Sequence, residues 1–234
     1  IVVGNDEFLR TLFDGLPIDV APVVTSFIGN PATVSPAGWK SRRWRDGDNS
    51  LPAEANNYFS LATFRPDEAG EYRRRKAQFV ALHVVMLDDI GGKVPLDRVT
   101  LPPTWLLETS PGNHQAGYLL TAPLTDGLLA DRLMNAIVAA GLCDPGAKGP
   151  QSRLARLPVA MNGKHTPPFV CRMVTWTPDL RQGCLPACGA IEAPLRSRAD
   201  SRAGSGTRKE LHEAGDQVRG LGHPARLRGS QHRV

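Results

Sequence analysis

Two adjacent carboxylates stand at the end of the most apolar stretch of the chain. Residues 79–87 form an apolar run of strand length, and Asp88 and Asp89 follow it directly. Carboxylate oxygens suit Mg²⁺ or Mn²⁺, and such an ion can activate an attacking hydroxyl and steady a leaving pyrophosphate. We therefore predict Asp88 and Asp89 as catalytic metal ligands. The alternative is a polar turn after a buried strand, and strand alternation predicts that the two side chains point to opposite faces.

A short polar segment, residues 110–115, follows the next apolar run. Backbone N–H groups in such a turn can bind the oxygens of a triphosphate, as anions bind in backbone nests. We predict nucleotide contacts from Ser110, Asn113, His114 and Gln115. The alternative is an ordinary hairpin loop in which His114 is merely solvated.

A third segment brings basic side chains, at Arg153, Arg156 and Lys164. Guanidinium and ammonium groups bind phosphate oxygens through charge-assisted hydrogen bonds, so we predict that these three residues also contact the nucleotide. Arg153 and Arg156 share a face if the segment is helical and point to opposite faces if it is a strand. The alternative is surface charge near a proline turn.

Aromatic and basic residues alternate earlier in the chain, in residues 37–50. Bases can stack on such aromatic rings while phosphates pair with the basic groups. We predict nucleic-acid contacts from four residues of this segment, Trp39, Lys40, Arg42 and Arg43. We add Arg74 from the later basic run, residues 73–76. A solvated loop anchored by two tryptophans explains the earlier segment equally well.

The elements that must position these residues are mostly strands. Alternating or continuous apolar runs predict strands at residues 57–64, 79–87, 105–108, 116–120 and 169–176, the third and fourth forming a hairpin. Apolar residues with helical spacing predict a helix over residues 125–140, capped by Thr125 or Asp126 and followed by Gly141. The predicted class is α+β, with a mainly antiparallel sheet flanked by helices.

Three segments divide the chain. Residues 1–56 begin with a short amphipathic helix that Asp6 could cap, and prolines then indicate an extended connection. Residues 57–185 contain the predicted strands and the three segments with predicted chemical roles, here called the chemical segments (residues 88–89, 110–115 and 153–164). They form the predicted catalytic core, and residues 1–56 add a helix and a loop to it. In residues 186–234 Arg, Gly, Ser and Ala dominate, which predicts a basic, disordered tail. A shifted reading frame would give the same composition.

Composition and charge argue against a membrane-spanning protein and against a generally basic DNA-binding surface on residues 1–186. The chain has 234 residues, 41% of them hydrophobic, and a net charge of +5. After residue 186 there are nine Lys and Arg against five Asp and Glu, so the rest is nearly neutral and any nucleic-acid site there depends on local clustering. No apolar stretch approaches the roughly 18 residues of a membrane span. We therefore expect a cytoplasmic protein without a membrane partner. Because the first residue is Ile and not Met, we also expect a fragment or an incomplete reading frame.

The four cysteines form no closely spaced metal-binding pair. The alternatives are free thiols in a reducing compartment, or a zinc site of Cys171, Cys184 and Cys188 with a histidine.

Taken in order, the three chemical segments resemble motifs of the archaeo-eukaryotic primase superfamily, in particular the RepB-type primases and primase-polymerases of plasmids and phages. The resemblance runs from about Asn57 to Trp176 and rests on residues 87–93, 109–115 and 153–164. It implies an antiparallel sheet flanked by helices, nucleoside triphosphates as substrates and primer synthesis on a single-stranded DNA template. Relatives often carry a helicase after this domain, which suggests a replicative helicase as a partner.

The chain departs from the family pattern at two places. The first motif usually has acids at alternate positions, whereas here they are adjacent and Ile90 takes the alternate position. The third motif usually has a metal-binding acid just before its arginine. Residues 149–152 contain none, and the nearest is Asp144, which we predict as a third metal ligand.

Three functions are compatible with these residues. The leading hypothesis is a metal-dependent, template-directed nucleotidyltransferase of replicating mobile DNA. The second is a non-catalytic protein that binds single-stranded DNA on the same fold. The third is a metal-dependent nuclease, since carboxylates and basic groups also serve cleavage.

Overall fold

The longest strands of the protein lie at the centre of its larger sheet. The structure is a computed structural model and describes residues 1–48 and 50–183. The helices are α1 (Asn5–Leu12) and α2 (Gly127–Ala139). The strands, in chain order, are β1 (Val23–Phe27), β2 (Arg42–Arg43), β3 (Asn56–Ser60), β4 (Ala62–Phe64), β5 (Phe79–Ile90), β6 (Trp105–Ser110), β7 (Asn113–Leu124), β8 (Leu154–Arg156), β9 (Met161–Asn162), β10 (Phe169–Val170), β11 (Arg172–Trp176) and β12 (Arg181–Gln182).

In the larger sheet the strands lie in the order β11-β6-β7-β5-β4, and β12 pairs in parallel with β7. All other pairs are antiparallel. Residues 81–87 of β5 are buried without interruption, as expected for a strand covered on both faces. The predicted hairpin is present: β6 and β7 are joined at Pro111 and Gly112.

A second sheet, ordered β2-β1-β3-β8, packs beside the first. Residues 57–64, predicted as one strand, divide at Leu61, so that β3 belongs to this sheet and β4 to the larger one. The division is stabilised by the Ser60 hydroxyl, which donates to the carbonyl of Ala62 and accepts from the N–H of Val23. Val23–Phe27 is itself a strand, where the prolines had predicted only an extended connection.

The two helices lie where their apolar faces predict. In α2, Asp126 is the N-cap and accepts from the N–H groups of Leu128 and Leu129. Helix α1 begins after Gly4 rather than at a capping Asp6, and its Phe8 packs edge-on against Phe59 and Trp105 in the core.

The predicted α+β class with a mainly antiparallel sheet is confirmed. No helix in the described ranges is long and apolar enough to cross a membrane. The predicted disorder of residues 186–234 lies outside the described residues.

Candidate functional site

A cleft of about 490 Å³, here called the main cleft, opens where the two sheets meet. Its walls come from the end of β5, the β6–β7 turn, the loop after α2 and strands β3, β8 and β9. The predicted site residues that line it are Trp39, Asp88, Asp89, Ser110, Asn113, Gln115, Asp144, Arg153, Arg156 and Lys164. The three chemical segments of the sequence therefore meet in one place.

A β-bulge brings both adjacent acids into the main cleft. Leu87 pairs with Ala116 and Ile90 with His114, so that Asp88 and Asp89 together lie opposite Gln115. Asp89 has a φ of 65°, the left-handed region that aspartate tolerates better than most residues. The expectation that the two side chains point to opposite faces was therefore wrong, because it assumed a regular strand.

Each acid of the bulge has specific partners. Arg153 Nη2 donates to Asp88 Oδ2 at 2.7 Å, and Gln115 Nε2 donates to Asp88 Oδ1 at 3.2 Å. The Asn113 amide donates to Asp89 Oδ1. The backbone N–H of Asp88 is directed at Cys143 Sγ, 3.1 Å away, which fixes the bulge against the segment after α2. Both carboxylates are thus held in defined orientations.

Lys93 bridges the second bulge acid, Asp89, to Asp144, the predicted third metal ligand. Its Nζ lies 3.1 Å from Asp89 Oδ2 and 3.1 Å from Asp144 Oδ2. Hydrogen bonds to Asp144 and Asp89 raise the pKa of Lys93. Partial burial acts to raise the pKa of Asp144, but the Gly146 N–H and the Lys93 ammonium outweigh it and hold that pKa below its ordinary value.

This arrangement fits a divalent cation at one position. Asp89 and Asp144 already direct an oxygen each at one ammonium, and carboxylate oxygens are the ligands that Mg²⁺ and Mn²⁺ prefer. Asp88 is directed at Arg153 instead. In the described part of the chain no three His, Cys, Asp or Glu side chains are spaced to hold a metal together. A cation bound by Asp89 and Asp144 would displace the Lys93 side chain, which is 64% exposed.

The β6–β7 turn packs directly against the turn after the bulge. A Cβ on Gly91 would lie 2.1 Å from the carbonyl oxygen of Gly112, so only glycine permits this approach. Ser110 and Asn113 line the main cleft from this turn. His114, the next residue on β7, does not line the cleft, and its Nδ1 lies 3.3 Å from the carbonyl oxygen of Ile90. The alternation of β7 thus keeps His114 from the predicted nucleotide contact, whereas Gln115 lines the cleft.

The three basic residues of the third segment have different surroundings. Arg153 is paired with Asp88 and also bonds the carbonyl of Gly146. Lys164 is exposed at the rim, with no carboxylate within ion-pair distance among residues 1–48 and 50–183. It is therefore available for a phosphate.

Arg156 is buried, 4% exposed, and its partners are all neutral. It donates to the side-chain oxygens of Asn56 and Asn162 and to the carbonyl of Met161, and it lies over the Tyr58 ring at 4.6 Å. A buried guanidinium without a carboxylate is costly, and these contacts offset part of the cost. Its charge gives the floor of the cleft a positive potential, although its donors already serve the fold.

Several polar side chains were not predicted, namely Lys93, Thr109 and Asn162 in the lining of the main cleft and His165 beside it. His165 Nε2 lies 3.0 Å from Ser110 Oγ, a hydroxyl that also accepts from Asn162 Nδ2 at 2.9 Å. The signal was available, because His165 directly follows Lys164 in the third segment. His165 and Asn162 therefore orient the Ser110 hydroxyl together.

Aromatic rings form one wall of the main cleft. The Trp39 and Tyr58 centroids are 5.2 Å apart, and Phe27 lies 4.7 Å from Trp39. Trp39 is half-buried, which leaves part of its ring able to stack with a base.

The predicted nucleic-acid residues separate into two groups. Lys40 and Arg74 lie with Trp39 around a second, smaller cleft. Arg42 is paired with Asp48, and Arg43 donates to the carbonyl of Ile18 and lies over the Tyr72 ring. Strand β2 directs Arg42 and Arg43 to a different depression, so they do not join the other three.

The zinc alternative concerns residues that the structure describes only in part. Cys143 and Cys171 are buried free thiols, and burial raises the pKa of each to about 11. Cys184 and Cys188 lie outside the described residues.

No family model matches the chain, and no curated protein matches it. Solved structures do. The AEP domain of the cyanophage S-2L primase-polymerase has a TM-score of 0.52, is 14% identical, and the match covers 80% of this chain and 94% of that one. The primase RepB′ has a TM-score of 0.52 at 16% identity, covering 85% and 67% of the two chains. Its catalytic domain in complex with initiator DNA has the same TM-score at 14% identity, covering 85% and 98%.

The chain has the primase-polymerase fold. The fold implied by the sequence resemblance is therefore confirmed, and the structural match covers more of the chain than the three motifs did. At these identities the likeness concerns the fold alone. In this primase-polymerase fold the bulge of β5, the β6–β7 turn and the segment around β8 and β9 surround the main cleft.

Proposed function

We propose that this protein is a template-dependent nucleotidyltransferase that synthesises primers on single-stranded DNA of a phage or plasmid-type element. The observation that carries the proposal is the bulge of β5, which directs the side chains of both Asp88 and Asp89 into the main cleft. The same cleft is lined by Arg153, Arg156 and Lys164. Carboxylates and two basic groups without a carboxylate partner among the described residues, Lys164 and Arg156, in one cleft match a nucleoside triphosphate bound with a divalent cation.

Each side chain has a role in this proposal. Ser110, Asn113 and Lys164 bind the triphosphate, with Arg156 adding positive potential from below. Asp89 and Asp144 would hold Mg²⁺ or Mn²⁺ at the position of the Lys93 ammonium. When bound, such an ion lowers the pKa of an attacking hydroxyl and neutralises charge on the phosphates. Asp88, oriented by Arg153 and Gln115, lines the same cleft, and we assign it the role of accepting the proton of the primer hydroxyl.

The proposed catalytic unit is residues 57–185, completed by residues 1–56 and followed by a separate tail, residues 186–234. Strand β1 pairs with β3 over four residues, so the first segment supports a wall of the main cleft. We further propose that the protein acts in the cytoplasm, where replicating DNA, nucleotides and a replicative helicase are available.

The proposal is tested by incubating the protein with single-stranded template, labelled NTPs or dNTPs and Mn²⁺, and separating products on a denaturing gel. Wild type is expected to make primers, and Asp88→Asn with Asp89→Asn to lose activity by about 100-fold or more. Asp97→Asn, an exposed acid outside the cleft, is the matched control. Equal product from wild type and the double variant would disprove the catalytic role, and degraded template would indicate a nuclease instead.

A non-catalytic DNA-binding protein is the second candidate. It is favoured by the protein's own cations, since Asp88 is paired with Arg153, and Asp89 and Asp144 with Lys93. This candidate predicts salt-dependent binding of single strands that is equal in Mn²⁺ and in EDTA, with no product in the primer assay.

A further inference from the structure

A second cleft, here called the side cleft, lies beside the main cleft and has a volume of about 280 Å³. Trp39 lines both clefts. Ser152 lines the side cleft, and the next residue, Arg153, lines the main one. The two clefts are therefore adjoining spaces with the Trp39 ring at their boundary.

In the side cleft, the Arg74 guanidinium is held in place by hydrogen bonds to neutral groups. Its Nε donates to Ser41 Oγ at 2.8 Å and its Nη1 donates to the carbonyl of Ser152 at 2.9 Å. Burial lowers its pKa, but a guanidinium stays charged in proteins. Among the described residues no carboxylate lies within ion-pair distance of Arg74. A half-buried, oriented cation with only neutral partners is suited to an external anion.

The other charges of the side cleft are mostly positive. Lys40 and Arg75 are exposed and have no ion-pair partner within residues 1–48 and 50–183. Arg73 is 3.7 Å from Asp67, so its charge is partly compensated, and Glu71 is the one acid of the lining. Three uncompensated cations thus surround a small polar space.

We propose that the side cleft binds backbone phosphates of the single-stranded DNA template, while the adjoining base stacks on Trp39 and faces the nucleotide in the main cleft. This rests on the proposed function and names where the template enters. The phosphates bind Lys40, Arg74 and Arg75, and the boundary position of Trp39 directs the strand from one cleft to the other. Arg42 and Arg43 take no part, because their guanidinium groups are held elsewhere.

The test compares DNA binding with nucleotide binding in a variant of the full chain. Lys40→Ala with Arg75→Ala removes two exposed charges and should leave the fold intact. Fluorescence anisotropy with a labelled single strand should show binding about tenfold weaker, and the slope of log K against log salt should fall by about 1.4. Binding of a fluorescent nucleoside triphosphate should not change. Arg45→Ala with Arg132→Ala removes the same charge from exposed positions outside both clefts and should leave both affinities near wild type.

A second variant tests stacking separately from charge. Trp39→Ala should weaken single-strand binding severalfold without changing the salt slope, because a base contact releases no counterions. Unchanged DNA binding in Lys40→Ala with Arg75→Ala, or a loss equal to that of the control pair, would overturn the proposal. A parallel loss of nucleotide binding would overturn it too, by assigning the side cleft to a free triphosphate. These are binding measurements, so failure of primer synthesis alone is a separate result that counts against the proposed function.

Discussion

At the scale of single residues, the distinctive feature of the main cleft is that each acid carries a cation of the protein itself. Lys93 is shared by Asp89 and Asp144, whereas Arg153 is committed to Asp88. The lysine is exposed and flexible, so its ammonium can leave at little cost. Arg153 is better buried and has a second bond to the Gly146 carbonyl, so it stays in place. The three acids are thus paired with one exchangeable and one fixed cation.

Lys93→Met tests this competition. Without the ammonium, Asp89 and Asp144 are open to an external ion, so Mn²⁺ should bind about tenfold more tightly, measured by isothermal titration calorimetry. The variant keeps the aliphatic stem, and Lys93→Arg, which keeps the charge, is the control. Mn²⁺ affinity that is unchanged or weaker in Lys93→Met would contradict the assignment of this position to a metal.

At the scale of elements, the sequence predicted what apolar periodicity controls. The buried core of β5, the β6–β7 hairpin and the helix capped at Asp126 depend on neighbouring residues and were found where expected. The bulge at Asp88 and Asp89 was not predicted, because one extra residue in a strand shows only in the pairing with β7.

The same limit applies to the candidate site. The sequence could nominate Lys164 or Arg156 as phosphate ligands from charge alone. It could not show that Arg156 is buried among neutral acceptors, or that Lys93 joins two acids from different segments, because both depend on contacts distant in sequence. His114 was misplaced for a related reason, since the face of β7 is set by its register with β6.

Gly117→Ala tests the register of the hairpin that brings Ser110 and Asn113 to the cleft. Gly117 pairs with Trp105, and an added Cβ would lie 2.0 Å from the indole ring. Since Trp105 is fully buried, the ring has no space to move, and the variant should lose about 3 kcal/mol of unfolding free energy in urea. In a Trp105→Phe background the same change should cost much less, and an equal cost in both backgrounds would contradict the steric explanation.

At the scale of the whole molecule, the main cleft exists because the chain passes from the smaller sheet to the larger one at Leu61. Strands β3 and β8 bring Tyr58 and Arg156 from one sheet, and β5 and β7 bring the acids and Gln115 from the other. Gln115 bonds both sides, through Asp88 Oδ1 and the backbone N–H of Arg156. Stability of the packing between the sheets and integrity of the site are therefore coupled.

His83 is expected to make the packing of β4, β5 and the end of α1 sensitive to acid. It is 7% exposed on β5, with Nε2 3.2 Å from Thr63 Oγ1 on β4 and its ring 5.2 Å from that of Phe13 after α1. Burial lowers its pKa to about 4, so the folded protein keeps it neutral while the unfolded chain protonates near pH 6.5. Stability from the neutral form is complete above the unfolded pKa and is lost as pH falls toward the folded one, by about 3 kcal/mol in total.

His83→Gln removes this titration and keeps a polar group near Thr63, so it should flatten the loss of stability between about pH 6.5 and pH 4. Urea unfolding at several pH values in that window measures the difference between the two proteins. Carboxylates elsewhere titrate in both proteins and cancel in the comparison. The same pH dependence in wild type and variant would mean that His83 is not the group responsible. A flatter dependence of unfolding free energy on pH in the variant would place the acid sensitivity where α1, β4 and β5 meet. That region is next to Leu61, where the chain passes between the two sheets that form the main cleft.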